Sequence, residues 1–171
     1  MSPRLLALSL VLAVTGCGEL SRSATINARL TAGESMFVGV EVHTSATGAA
    51  LEVDWSVELL SFGGAACPVA VYRWLDELPE RGELPIHDPL EGWPRSWDGG
   101  ELVESVVVPA SEAVELGPQR LDEARDRVGG LLGIATCEGS ALDAIVHVEA
   151  EAELGVRAVY DALLIDLWRA G

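Results

Sequence analysis

The chain has 171 residues, a formal net charge of −16 and 49% hydrophobic residues. That charge excludes a nucleic-acid surface, which needs clustered cations, and the apolar content excludes a disordered chain. No lysine occurs among the 11 basic residues, which removes Schiff-base chemistry, a P-loop lysine and a Ser–Lys dyad.

At the N-terminus, Arg4 precedes the apolar run Leu5–Val14. The run is far short of the ~20 residues that a spanning helix needs. It ends in Val14-Thr15-Gly16-Cys17. Small residues before a cut let an extended backbone enter a tight protease site, and the cysteine sulfur is the nucleophile that takes a lipid. In this order and spacing, residues 1–17 resemble a bacterial lipoprotein signal peptide ending in a lipobox. The resemblance implies removal of residues 1–16, a thioether diacylglycerol on Cys17 and an added N-acyl chain, which together hold a protein on a membrane. It places the protein in the cell envelope. Gly18 stands where Asp would retain an enterobacterial lipoprotein at the inner membrane, which favours the outer membrane. Residues 18–23 are expected to form a tether of roughly 20 Å, and 24–171 a single domain with its own core.

From Ala24 the dominant period is two. Ala24, Ile26, Ala28 and Leu30 alternate with Thr25, Asn27 and Arg29. After the turn Thr31–Ser35, Met36, Val38, Val40 and Val42 share one face, with Glu41 and His43 on the other. Leu51, Val53, Trp55, Val57 and Leu59 alternate with Glu52, Asp54, Ser56 and Glu58, a half-buried strand. Further strands are predicted over Cys67–Leu75, Leu102–Val108, Val114–Leu116, Leu131–Cys137 and 142–154. Short strands with one apolar face predict an all-β fold, an antiparallel β-sandwich of immunoglobulin-like or jelly-roll-like kind. No residue motif ties it to either family, so no site residues transfer.

Three segments depart from this pattern. Residues 119–127, QRLDEARDR, have helical spacing and are expected to form a short surface helix. Gly129-Gly130-Leu131-Leu132-Gly133 leads into a strand instead of a helix, so it lacks the helix N-terminus of a phosphate cradle; the glycines are read as a turn and a bulge. Residues 156–168 fit both a helix and a strand. A closing strand is preferred, with Gly155 as a hairpin turn after the preceding strand. With Cys17 committed to lipid, Cys67 and Cys137 remain as an even pair in an oxidising compartment, which reads as a disulfide; two buried free thiols are the alternative. Neither cysteine has a second ligand at metal-binding spacing.

The loop 76–101 holds Pro79, Pro85, Pro89 and Pro94, His87, Trp93 and Trp97. Long loops in compact domains are often functional. Trp93 and Trp97 present either flat faces for stacking, as on a sugar ring, or a flap over the edge of the core. With His87, Asp88 and Asp98 they form the candidate ligand-binding set. The carboxylates Asp76, Glu77, Glu80, Glu83, Asp88, Glu91, Asp98 and Glu101 are of the type that binds Ca²⁺, but no EF-hand spacing organises them, so no metal or other cofactor is assigned. His43 and His147 fall on polar strand faces. No HExxH, G-x-S-x-G elbow or catalytic cysteine is present, so no catalytic residue is assigned. The sequence therefore reads as a non-catalytic binding or accessory lipoprotein, held on the membrane by its lipid, with an envelope glycan or protein as partner. A structural subunit of an envelope complex is the alternative, and a hydrolase comes third.

Overall fold

A computed structural model describes residues 19–44, 49–74, 84–97, 100–123, 127–137, 140–154 and 161–170. Residues 1–16 and the expected lipidation site Cys17 lie outside the described residues. The described residues form ten strands: β1 (Glu19–Leu30), β2 (Ser35–Thr44), β3 (Ala49–Ser61), β4 (Cys67–Trp74), β5 (Ser96–Trp97), β6 (Gly100–Val108), β7 (Ala113–Glu123), β8 (Arg127–Ala135), β9 (Leu142–Leu154) and β10 (Asp161–Ala170). A four-stranded sheet has the order β1-β9-β3-β7, and a six-stranded sheet the order β10-β2-β8-β4-β6-β5. All pairings are antiparallel. The two sheets pack face to face as an all-β sandwich.

The alternation of β3 shows why. Leu51, Val53, Trp55, Val57 and Leu59 are fully buried, while Glu52, Asp54 and Glu58 between them turn outward. The same period in β9 buries Leu142, Ala144, Val146, Val148, Ala150 and Ala152, and from the other sheet Met36, Val38, Val40 and Val42 complete the interior cluster. Removing that apolar surface from water, at about 25 cal/mol per Å², is the main force closing the sandwich. Cys67 and Cys137 form a disulfide across 4.9 Å between Cα atoms. They sit at the same end of the neighbouring strands β4 and β8, so the bridge staples one sheet. Closing a loop of 70 residues contributes about 4 kcal/mol in the chain-entropy model.

The six-stranded sheet is apolar on its outer face as well. Phe37, Ala70, Tyr72, Leu131 and Ala135 point away from the interior and pack beneath Leu84 and Trp93. Residues 84–97 thus form a flap over this face. Gly133 makes the contact possible: a Cβ there would lie 3.0 Å from Phe37 Cε1 and 3.1 Å from Trp93 Cη2.

Four expectations need correction. Residues 119–123 are strand, within β7, with Gln119 opposite Val53 and Leu121 opposite Leu51; the helix expected over 119–127 is absent there, and residues 124–126 lie outside the described residues. Ladder bonds and cross-strand packing against β3 outweigh the helical spacing of this charged segment. Gly129–Gly133 are neither turn nor bulge but the body of β8, paired with β2 on one side and β4 on the other. Gly133 leaves room for the Phe37 and Trp93 rings, which a side chain there would crowd. The closing strand exists as β10, but it does not fold back along β9. It pairs with β2 in the opposite sheet, setting Leu163 beside Val42 and Ile165 beside Val40, where both reach the interior; Gly155 lies outside the described residues. Finally, β1 begins at Glu19 and pairs at once with Glu153 of β9. Residues 19–23 are therefore part of the sheet, where a tether was expected.

Candidate functional site

The residues picked from the long loop do not form one open surface. Trp93 is only 8% exposed. Its ring meets Phe37, Tyr72 and His87 edge to face, with centroids 6.0, 6.4 and 5.0 Å apart. It serves as the flap's anchor and offers no free ring face for stacking. The Tyr72 hydroxyl donates to the Pro94 carbonyl at 2.8 Å, and burial pushes its pKa well up, which keeps it a neutral donor. His87 is half-buried against Trp93; burial lowers its pKa, and neighbouring Asp88 opposes that shift. The Asp88 carboxylate accepts from the backbone N–H groups of Leu90 and Glu91 at 2.7 and 3.0 Å. Those bonds hold its pKa low and commit it to shaping the turn, so His87 and Asp88 are not set up as an acid–base pair. The backbone of Trp97, in β5, pairs with Gly100 of β6; its side chain and Asp98 lie outside the described residues, as do Asp76, Glu77, Glu80 and Glu83. Among the residues that the flap does present are two large apolar ones, Ile86, 81% exposed, and Leu90, 96% exposed.

His43 and His147 lie in different sheets. His147 sits between Thr25 Oγ1 (3.0 Å) and Glu149 Oε1 (3.2 Å). His43 Nε2 lies 2.5 Å from Glu41 Oε1, and Glu41 is 1% exposed. This pair stands on the outer face of β2, opposite Ala162 and Leu164 of β10, next to the lateral edge where β1 and β10 touch. There Arg22, at an inward position of β1, donates from Nη1 to the Leu163 carbonyl at 2.7 Å. Nearby Asp166 has its pKa raised by burial, against the opposing influence of Arg22 and His43.

The opposite lateral edge, between β6 and β7, is open. It holds a cleft of about 530 Å³, within the size range of small-ligand sites. Here the inward positions change from apolar to polar. In β4, Cys67, Val69 and Val71 face the interior, and the next position on that face is Arg73. It lies opposite Gly130 of β8, across from Val40. Glu104 of β6 pairs with Val71, and Glu101 with Arg73, so both carboxylates turn to the same side. Arg73 Nε and Nη2 donate to Glu101 Oε2 at 3.0 and 2.6 Å. In β7, Val114 and Leu116 pack inward, and then the register against β3 shifts between Val53 and Trp55. Gly117 takes φ +129° there, with its backbone so close to β3 that a Cβ would lie 2.9 Å from the Val53 carbonyl oxygen. Such a bulge re-aims the residues beyond it, and Gln119 ends up lining the cleft. Gln119 is 8% exposed, and its Nε2 is buried without a hydrogen-bond partner among the described residues.

A buried, unbonded amide costs about 1–3 kcal/mol relative to one that is satisfied; the indole nitrogens of Trp55 and Trp93 are buried and unbonded as well, and Gln119 is set apart from them by its place on the cleft wall. None of Arg73, Glu104 and Gln119 stood out in the sequence. The signal was present in β4 and β6 as a polar residue on an otherwise apolar period, but in β7 the bulge hid it. Comparison with family models, with curated proteins and with solved structures finds no match.

Proposed function

We propose that the protein is a non-catalytic binding module of the bacterial cell envelope, anchored by a lipid on Cys17, and that the cleft between β6 and β7 is its binding site. Gln119 carries this reading: the residue lines a ligand-sized cleft, and its amide nitrogen, buried just behind that wall, has no hydrogen-bond partner among the described residues, where buried donors are normally satisfied. Arg73 and Glu104 add polar groups of both signs to the same walls. The arrangement offers recognition through hydrogen bonds and charge, with no nucleophile–base pair among the residues that line it.

Thermal unfolding of the full chain in detergent, against a panel of envelope glycans, short peptides and Ca²⁺, tests the binding reading. A ligand at a hundred times its dissociation constant adds about 2.7 kcal/mol, and a rise in midpoint that disappears in Gln119→Leu supports the cleft. A rise that persists in that variant moves the site elsewhere. The anchor is tested separately: Cys17→Ala should shift the protein from the membrane fraction to the soluble fraction.

A second reading, an assembly subunit, is favoured by one observation. Ile86 and Leu90 stand exposed on a flap fixed from beneath by Trp93. Photo-crosslinking from position 90 in cells should then capture one defined envelope protein, and Leu90→Ser should abolish that product.

A further inference from the structure

Resting on that binding reading, we infer that the cleft receives an extended peptide bearing a basic residue, laid as an added strand along the free edge of β6. Strand β5 pairs only with Gly100 and Glu101 of β6, and the Leu102 N–H bonds the Arg95 carbonyl. Beyond these, Val103 is bulged out of register with β4, and among the described residues Glu104–Val108 has β4 on one side and no strand on the other. Those five residues give an open ladder of about 17 Å. An exposed ladder of N–H and C=O groups is a template for an incoming chain.

The side chains narrow the choice of chain. The Gln119 amide needs an acceptor, and a peptide carbonyl is one. Glu101 is balanced by Arg73, and Arg120, at the rim, by Glu52 and Glu153. Glu104 has no ion pair among the described residues, which leaves a net negative charge facing the cleft. A lysine or arginine on the incoming strand would neutralise it. Exposed Val103 and Val107 offer apolar cross-strand neighbours. The same features reject other occupants. An inward-pointing charge on an edge strand discourages any added strand that cannot neutralise it. A second copy pairing through β6 would bring another β6, with a second Glu104, to an edge that already carries unbalanced negative charge.

The test uses the full chain in detergent at about 0.15 M ionic strength, where surface attraction is screened beyond roughly 8 Å. Three fluorescein-labelled heptapeptides are titrated by anisotropy: alternating Val and Lys, alternating Val and Glu, and the Val/Lys peptide with alternate amides N-methylated. The expected result is binding of the first alone, weakened at least about tenfold by Glu104→Gln and by Gln119→Leu. Glu104 is exposed on an edge strand, so Glu104→Gln keeps the test informative even if Gln119→Leu disturbs the fold. Equal binding of the N-methylated peptide, or binding indifferent to both variants, means attraction to net charge alone and overturns the inference. Absence of peptide binding overturns it as well. If another compound still raises the midpoint and loses that effect in Gln119→Leu, the cleft remains a binding site and only the peptide falls. If nothing does, both readings fall.

Discussion

The two lateral edges of the sandwich solve the same problem in opposite ways. At each, the gap between the sheets exposes a polar residue at an inward position: Arg22 of β1 on one side, Gln119 of β7 on the other. Arg22 spans its gap and bonds the Leu163 carbonyl of the other sheet, with Asp166, His43 and Glu41 grouped nearby. Gln119 faces a cleft, and its amide nitrogen bonds nothing among the described residues. A polar residue at a sandwich edge is therefore not in itself a sign of function. What separates the two is satisfaction: one edge is closed by the protein's own groups, and the other is left for something else to complete.

Substitutions can break this comparison or sharpen it. The largest effect is expected at neither edge and sets the scale for both. Trp93→Ala should cost about 3–5 kcal/mol in chemical denaturation, because the flap and the outer cluster lose their anchor. A cost below about 1 kcal/mol would mean that the flap rests loosely on the sheet, and that the outer face is a second open region. At the closed edge, Arg22→Leu should cost about 1.5–3 kcal/mol, the range for a hydrogen bond from a charged group. If that substitution is silent, the closed edge owes its contact to packing, and the contrast loses its basis. At the open edge, Gln119→Leu should be neutral or stabilising by up to about 1 kcal/mol, a gain in stability accompanied by loss of binding. A clear loss of stability there would show that the amide supports the fold.

The smallest effect concerns pH. Burial raises the folded-state pKa of Asp166 above its ordinary value of 3.8. The folded protein therefore holds this proton more tightly than the unfolded chain, and the resulting stability is complete below that ordinary value and lost as pH rises through the folded pKa. Asp166→Asn removes the charge permanently. The variant should melt higher than the native protein at neutral pH, and the difference should shrink on acidification. A constant difference across the titration would locate the effect in packing instead.

Much of the sandwich was readable in advance, because a strand with one wet face writes its period into the chain. Leu51 to Leu59 in β3 and Leu142 to Ala152 in β9 alternate without a break, and both lie where alternation puts them. The disulfide between Cys67 and Cys137 was expected from parity and from the oxidising compartment that the N-terminal resemblance implies. Strand order did not follow, since alternation says which face is buried and nothing about the neighbour. The segment 119–123 misled because its composition suits a helix, and only β3 alongside makes it a strand. The burial of Trp93 had a trace that is clear in hindsight. Met36-Phe37-Val38, Val69-Ala70-Val71-Tyr72 and Leu131-Leu132 are apolar on both faces, the mark of strands covered on both sides. The cleft had the weakest trace. Arg73, Glu104 and Gln119 come from three strands of two sheets, and no local pattern brings them together.

The start of β1 at Glu19 has a mechanical consequence. If Cys17 carries the lipid proposed above, a single residue, Gly18, separates the acyl chains from a twelve-residue strand that is paired along its whole length with β9. Such an attachment behaves as a mast and not as a leash. The strand is about 40 Å long at roughly 3.4 Å per residue, so a lipid at its start would keep the domain near the bilayer, free to swivel and to drift in the plane but not to reach far above it. Its encounters would then be governed by surface density and not by volume concentration. A partner would have to come to the membrane to be met.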